Sequence, residues 1–370
     1  MKIIFFLTVC IFLRPNEAVG FPEMVRHGYV NCISCHVSPS GGGVLTPYGR
    51  ELTKEVLSTW GREGEGAFAY GAIKFPTWIH GGGDLRFLQI YRDTPTLREA
   101  AFFPMQTDLE MAATSEKWAG VVSGGVQRSI HTPPQKGEFF SRRHFLIYKP
   151  TEEVHLRAGK FLHNFGINMP EHNAVTKGND SGLGFNQGTE TYNLEASYLG
   201  ENLNAYLTGL FGRPDATRLN REKGLSSSVS YFFMERYKAG VSYFYGENNT
   251  ASRHVAGPFF ILGFTQKFFL LSEFDYQSYK SKSLPETLPG FVNYQRLNYE
   301  FIQGFHGYVT QEYSQLNLND SNTVSRAYGI GTQWFPRPHF EFNLYWQKQL
   351  RVSQFSQYID VAWLMMNFYP

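Results

Sequence analysis

Cysteine is scarce in this chain: three in 370 residues, at positions 10, 32 and 35. That count excludes the disulfide framework that staples small secreted domains. Long apolar runs are missing too. No segment beyond the first twenty residues approaches the ~20 consecutive apolar residues of a transmembrane helix. Charge of neither sign dominates, with 34 Lys and Arg against 32 Asp and Glu and a formal net charge of +2. Such a balance lends no support to a nucleic-acid partner. No hydroxyl or thiol sits in a recognisable nucleophile motif, so nothing points to hydrolytic or group-transfer chemistry.

What is abundant points elsewhere. Aromatic residues make up 16% of the chain, with 33 Phe and 22 Tyr, and there are 36 Gly. The first twenty residues carry Lys2, an apolar run over 3–13, and small residues at Ala18 and Gly20. This is the pattern of an export signal, with the mature chain expected near Phe21 and Cys10 removed. With Lys2, Arg14 and Glu17 gone, 32 basic and 31 acidic residues remain. An exported, aromatic-rich, Gly-rich chain without a long apolar run suggests β-structure in an outer membrane.

From about residue 78 the sequence alternates with a period of two. In TYNLEASY, Tyr192, Leu194, Ala196 and Tyr198 share one face, and Thr191, Asn193, Glu195 and Ser197 the other. In HFEFNLYWQK, Phe340, Phe342, Leu344 and Trp346 alternate with Glu341, Asn343, Tyr345 and Gln347; Phe274 and Tyr276 alternate with Glu273, Asp275 and Gln277. The regular polar face is expected to be wet. The pattern predicts sixteen strands, at 80–91, 104–113, 117–128, 139–148, 153–161, 189–199, 202–212, 224–233, 236–246, 252–264, 267–279, 291–301, 305–316, 325–335, 338–349 and 355–368. Tight turns near Gly200, Glu235, Gln266, Gln303 and Pro336 alternate with longer connections, of which 162–188 is the longest. Short turns on one rim and long loops on the other mark an all-β, transmembrane antiparallel barrel with both chain ends on the periplasmic rim. Pro258, inside the tenth strand, demands an irregularity there. A soluble periplasmic β-rich protein has no reason to sort its loops this way.

The chain thus divides into a signal peptide (1–20), a short partly helical segment (21–75) and a barrel (76–370). A helix is expected at about 46–60, with Leu52, Val56 and Trp60 inward and Glu51, Lys54 and Glu55 outward. The 21–75 segment is too small to supply a core of its own. It contains Cys32, Cys35 and His36 in the spacing CxxCH, the attachment pattern of a c-type haem. Two thiols at this spacing add to the two vinyl groups of one haem, and the adjacent imidazole is held beneath the iron as an axial ligand. A disulfide or a redox CxxC pair is the competing reading; Pro39 and three glycines follow where a thioredoxin-like pair would open a helix. Zinc lacks a second Cys pair. The SPSGGG run lacks the ending and the preceding strand of a phosphate loop; its glycines let backbone pass close to a haem face. Tyr48 and Arg50 are candidates for the propionates. A sixth iron ligand is unidentified, with Met24, His27, Met105, Met111, His163, Met169 and His172 as candidates. The 162–188 loop also carries Glu171 and Asp180 and could gate access or hold a metal ion transiently. Glu195, Glu273, Asp275, Arg296, Glu300 and Glu341 are expected to face the lumen, where they would attract cations and tune a redox potential.

An export signal, one CxxCH segment with Met24, Val25 and Arg26 approaching it, and a β-barrel to the C-terminus resemble the fused outer-membrane monohaem cytochrome–porins. The best-known members of that family are implicated in iron oxidation. The resemblance implies haem c on Cys32 and Cys35, with His36 on the iron, in the outer membrane of a Gram-negative bacterium, the N-terminus periplasmic or within the lumen. It implies an electron conduit between an extracellular donor or acceptor, with Fe(II) the family's donor, and a periplasmic c-type cytochrome. A diffusion porin with a haem-bearing N-terminal plug or sensor is the alternative.

Overall fold

The computed structural model describes residues 21–128, 137–169, 174, 177, 178, 182–185, 188–213, 221–354 and 357–370. The export segment 1–20 and three residues of the long connection, Glu171, His172 and Asp180, lie outside the described residues.

Among the described residues sixteen antiparallel strands close into a barrel. They are β1 (Ile79–Asp93), β2 (Arg98–Thr114), β3 (Trp118–Arg128), β4 in two halves (Gly137–Phe140 and His144–Tyr148), β5 (Val154–Phe161), β6 (Thr191–Leu199), β7 (Leu203–Leu210) and β8 (Lys223–Phe233). The second half comprises β9 (Tyr237–Glu247), β10 (Ala251–Gly263), β11 (Phe268–Ser281), β12 (Thr287–Ile302), β13 (Phe305–Gln315), β14 (Val324–Trp334), β15 (Phe340–Arg351) and β16 (Ile359–Phe368). Closure comes from β1, which pairs with β2 on one side and with β16 on the other, from Leu85 opposite Phe368 to Asp93 opposite Asp360. Both halves of β4 pair with β3, so they form one strand interrupted at 141–143.

The prolines explain where the strands depart from the expected ones. β2 begins six residues earlier than expected because Pro104 does not end it. Pairing with β1 jumps from Arg86–Gln106 to Phe87–Pro104, so Met105 is the extra residue of a bulge that absorbs the missing N–H. The irregularity expected at Pro258 is found. Pairing of β10 with β11 is interrupted between Ala256–Tyr276 and Phe259–Glu273, while pairing with β9 continues through Val241–Pro258.

Alternation sorts the faces as expected. Thr191, Asn193, Glu195 and Ser197 are buried inside, and Leu194 and Tyr198 stand exposed on the outer wall. Leu109, Val122, Leu146, Leu207, Val241, Val309, Ile330 and Leu344 continue this apolar outer face around the barrel, as a surface in lipid requires. A water-soluble sheet protein would not expose it. The expected wet inner face is corrected. Glu195, Glu273, Asp275, Arg296, Glu300 and Glu341 do point inward, but each is no more than 5% exposed. The lumen is filled by the 21–75 segment and by parts of the long connection. Val25 packs with Ile167, Met169, Phe259 and Phe269, and Val44 packs with Val121, Phe145 and Phe161.

The expected helix is shorter than its pattern. Helix α1 (Pro47–Leu52) begins at Thr46, whose side chain accepts from the Gly49 amide, with proline at the first position. A wider π-type turn (Thr53–Leu57) follows, and Ser58 is extended. Leu52 is buried as expected, but Trp60 is 58% exposed. The amides of Thr59 and Trp60 donate to the carbonyls of Phe335 and Pro336. This tether draws Trp60 away from the helix and onto the edge of Trp334, 5.9 Å between ring centroids.

Candidate functional site: the CxxCH loop in the barrel lumen

The CxxCH segment is a single tight turn. The amides of Cys35 and His36 both donate to the carbonyl of Cys32. A hairpin brings the chain straight back: His36 bridges Leu45, the Val37 amide donates to Val44, and the Thr46 amide and hydroxyl donate to Cys35 and Ser34. Two glycines make this compact form possible. A Cβ on Gly49 would lie 2.4 Å from the Cys35 carbonyl oxygen. Gly43 has φ +71°, and a Cβ there would come within 2.5 Å of both Arg143 and Glu110.

The barrel wall adds further bonds that hold the loop in place. Asn204 of β7 and Lys238 of β9 donate to the Val30 carbonyl. Tyr206 donates to Pro39, and Arg157 of β5 donates to the hydroxyls of Ser38 and Ser40 while pairing with Glu195 at 2.7 Å. Asn168 of the long connection donates to Ser40. Towards the short-turn rim, Arg26 pairs with Glu300 of β12 and lies over the Phe269 ring. A segment too small for a core therefore borrows the inner wall as its core.

His36 lines a cavity with about 1480 Å³ of atom-free space that reaches the short-turn rim at Arg337, His339 and Pro370. The apolar wall includes Leu45, Phe145, Phe161, Met169 and Phe335. The described charged lining is five arginines, at 50, 86, 143, 157 and 337, against Asp84 and Glu110. Arg86 pairs with Asp84, Arg143 with Glu110, Arg157 with Glu195 and Arg337 with Glu65. Arg50 pairs with no side-chain carboxylate among the described residues; it donates to the Gly81 carbonyl and to an oxygen of the C-terminal residue, Pro370. Burial, then Arg143, lowers the His36 imidazole to about 4, so the ring is neutral at ordinary pH, the form that ligates a metal. Its Nδ1 is buried without a hydrogen-bond partner among the described residues. Neither Cys32 nor Cys35 is in a disulfide among the described residues. Burial raises the Cys32 thiol, against the pull of Lys238. Cys35 is fully buried among Met24, Leu52 and Leu57, in a cluster that shares Phe21, Leu45 and Leu57 with the cavity wall.

These residues fit a haem c: two thiols one turn apart and in no disulfide, a neutral imidazole lining a mostly apolar cavity, and an arginine with no side-chain carboxylate partner among the described residues. Of the propionate candidates, Arg50 lines the cavity, whereas Tyr48 meets Tyr29, hydroxyl to hydroxyl at 3.1 Å. Of the described candidates for a second axial ligand, only Met169 lines the cavity. Met24 is packed against Cys35. Met105 is the bulge residue of β2, and Met111 is 49% exposed on the outer wall, turned away from the lumen. Burial lowers His27 to about 4, but it does not line the cavity. His163 lines a separate cavity nearer the other rim. The possibility of a metal ion held by the long connection involves Glu171, His172 and Asp180, which lie outside the described residues; among the described residues no group of three acidic, Cys or His side chains could hold one. Sequence reasoning did not single out Arg143 and Arg157. Arg157 lies on the polar face of its alternating strand, the one signal that could have marked it.

The fold has clear counterparts among outer-membrane porins. OmpT of Vibrio cholerae superposes with a TM-score of 0.63 at 9% identity, over 81% of this chain and 100% of its own. An anion-selective porin from Comamonas acidovorans gives 0.60 at 11% identity, over 79% and 99%. The channel DcaP of Acinetobacter baumannii gives 0.57 at 11%, over 80% and 99%. At such identities the likeness is one of fold alone. No protein-family model matches the sequence, and none of the curated proteins matches it either.

Proposed function

We propose that this chain is an outer-membrane electron conduit: a porin-fold barrel whose lumen holds one covalent haem c, on Cys32 and Cys35 with His36 as axial ligand. The haem, when bound, supplies a one-electron redox centre between an extracellular partner and a periplasmic c-type cytochrome. The observation that carries the reading is the seat of the CxxCH loop. His36 lines a cavity inside the barrel that reaches the short-turn rim. A barrel's apolar band is ~25 Å tall, so a redox centre within the lumen divides a gap that an empty barrel would leave whole.

Each residue has a part. Cys32 and Cys35 anchor the group. His36, neutral and buried, offers a lone pair without first losing a proton. Met169 would be available to the iron as a second protein ligand, and Arg50 would meet a propionate. Phe145 and Phe161, which line the cavity, would keep water from the group, and that would raise the strength of every charge interaction inside. The resemblance to the cytochrome–porins suggests Fe(II) as the outer electron donor. The test is Cys35→Ala. Its barrel should still insert and shift mobility on heating, while haem staining and electron transfer from an external donor to a periplasmic cytochrome are lost. Electron transfer at the wild-type rate in that variant refutes the conduit.

The porin likeness favours one second reading, a diffusion porin that the 21–75 segment plugs. On that reading, removing 21–75 raises solute flux, and the haem exchanges no electrons with donors outside the cell.

A further inference from the structure

A second cavity, with about 1630 Å³ of atom-free space, lies at the long-loop rim and carries a feature that the conduit does not explain. One of its walls is His163, 8% exposed, with neither ring nitrogen partnered among the described residues. The ring lies against Phe244, 5.3 Å between centroids and 28° from parallel, and edge-on to Phe185 at 4.9 Å. A buried polar group without a partner destabilises a fold, and here both ring nitrogens of a residue on a cavity wall lack one among the described residues. Flat rings with a few convergent polar groups are the make-up of a small-molecule site.

The electrostatics narrow the class of occupant. Arg213, Lys223 and Arg253 face this cavity against Glu222 alone among its described charged residues. Arg253 is held in place by Glu222 and the Leu183 carbonyl, and lies over both Phe185 and Phe244. Burial, then Arg253 and Lys177, lowers the His163 imidazole to about 3. The positive charges that add to burial in keeping a proton off this ring also oppose a bare divalent cation. A neutral imidazole still offers one N–H and one lone pair to an organic ligand.

We propose that this outer vestibule binds a small planar aromatic anion of the quinone-sulfonate or aromatic-carboxylate class. Its ring lies along Phe185 and Phe244, its oxygens meet His163, and its charge is met by Arg213, Lys223 and Arg253. The ligand would stand close to the His36 cavity. Phe161 and Leu162 line the inner cavity and His163 the outer one, so the wall at this point is a single residue step. The site stands whether or not haem is attached.

The test is equilibrium dialysis of anthraquinone disulfonate against the full-length protein in detergent. Saturable binding is expected, and His163→Phe, which keeps the ring packing, should weaken it about tenfold, the equivalent of ~1.4 kcal/mol. Lys223→Glu, a change at an exposed position that leaves the packing alone, should weaken it in a salt-dependent way. Manganese(II) should not displace the probe, and Cys35→Ala should bind it as the unmodified chain does, which separates this proposal from the haem reading. Absence of saturable binding, equal binding by both site variants, or displacement by manganese(II) overturns it.

Discussion

At the scale of single residues, the functional reading depends on which side chains share the cavity with His36. Seven residues were candidates for the opposite face of the iron, and chain distance could not rank them. Topology does: a bulge takes Met105, the outer wall takes Met111, and the second cavity takes His163. Among the described candidates Met169 alone lines the His36 cavity, held near the loop by the bond from Asn168 to Ser40. A thioether ligand raises a haem's potential. Met169→Ala should therefore keep full haem staining, change the absorption spectrum and lower the midpoint potential in a redox titration. An unchanged spectrum and potential would remove Met169 from the iron. Cys32, Cys35 and His36 were legible from spacing alone, since local chemistry fixes that motif. Arg50 was legible as a candidate, whereas Arg143 became so only once β4 was seen to turn it inward.

At the scale of elements, the question is what keeps the N-terminal segment in the lumen. The Arg26–Glu300 pair is the most buried of its links to the short-turn rim, with the two side chains 0% and 6% exposed. Removing one partner of such a pair costs about 3–5 kcal/mol, because the other charge is left alone, whereas replacing both with apolar residues can be neutral. Arg26→Met should thus loosen the segment, speed its proteolysis and raise ion conductance in planar bilayers. Arg26→Met combined with Glu300→Leu should restore both towards the original values. Equal conductance in all three proteins would show that this pair does not latch the segment. The sequence foretold a helix near 46–60 but not its early end, because the tether of Thr59 and Trp60 to the Phe335–Pro336 turn joins residues nearly 280 positions apart.

At the scale of the whole molecule, two opposite surfaces define the protein. The outer wall is apolar and exposed, and the inner wall is polar and covered. Leu194, 55% exposed near the middle of β6, belongs to the outer wall. Leu194→Arg should destabilise the barrel by ~2–4 kcal/mol, the cost of a basic side chain at the bilayer midplane. The measure is the urea midpoint of heat-modifiable mobility in lipid vesicles. No loss of stability would place the lipid contact elsewhere.

The sequence by itself determined the strand count, the two faces of each strand and the CxxCH spacing. Each is written in a period of two or in a spacing of a few residues, and so follows from local geometry. It also marked Pro258 as a site of broken pairing. Only the tertiary structure decided that the inner face is covered rather than wet, that β2 runs through Pro104, and that His36 and His163 line two separate cavities. Those outcomes depend on which distant segments meet once the barrel closes. Covering a polar wall with a folded-in segment leaves no periodic trace in either partner.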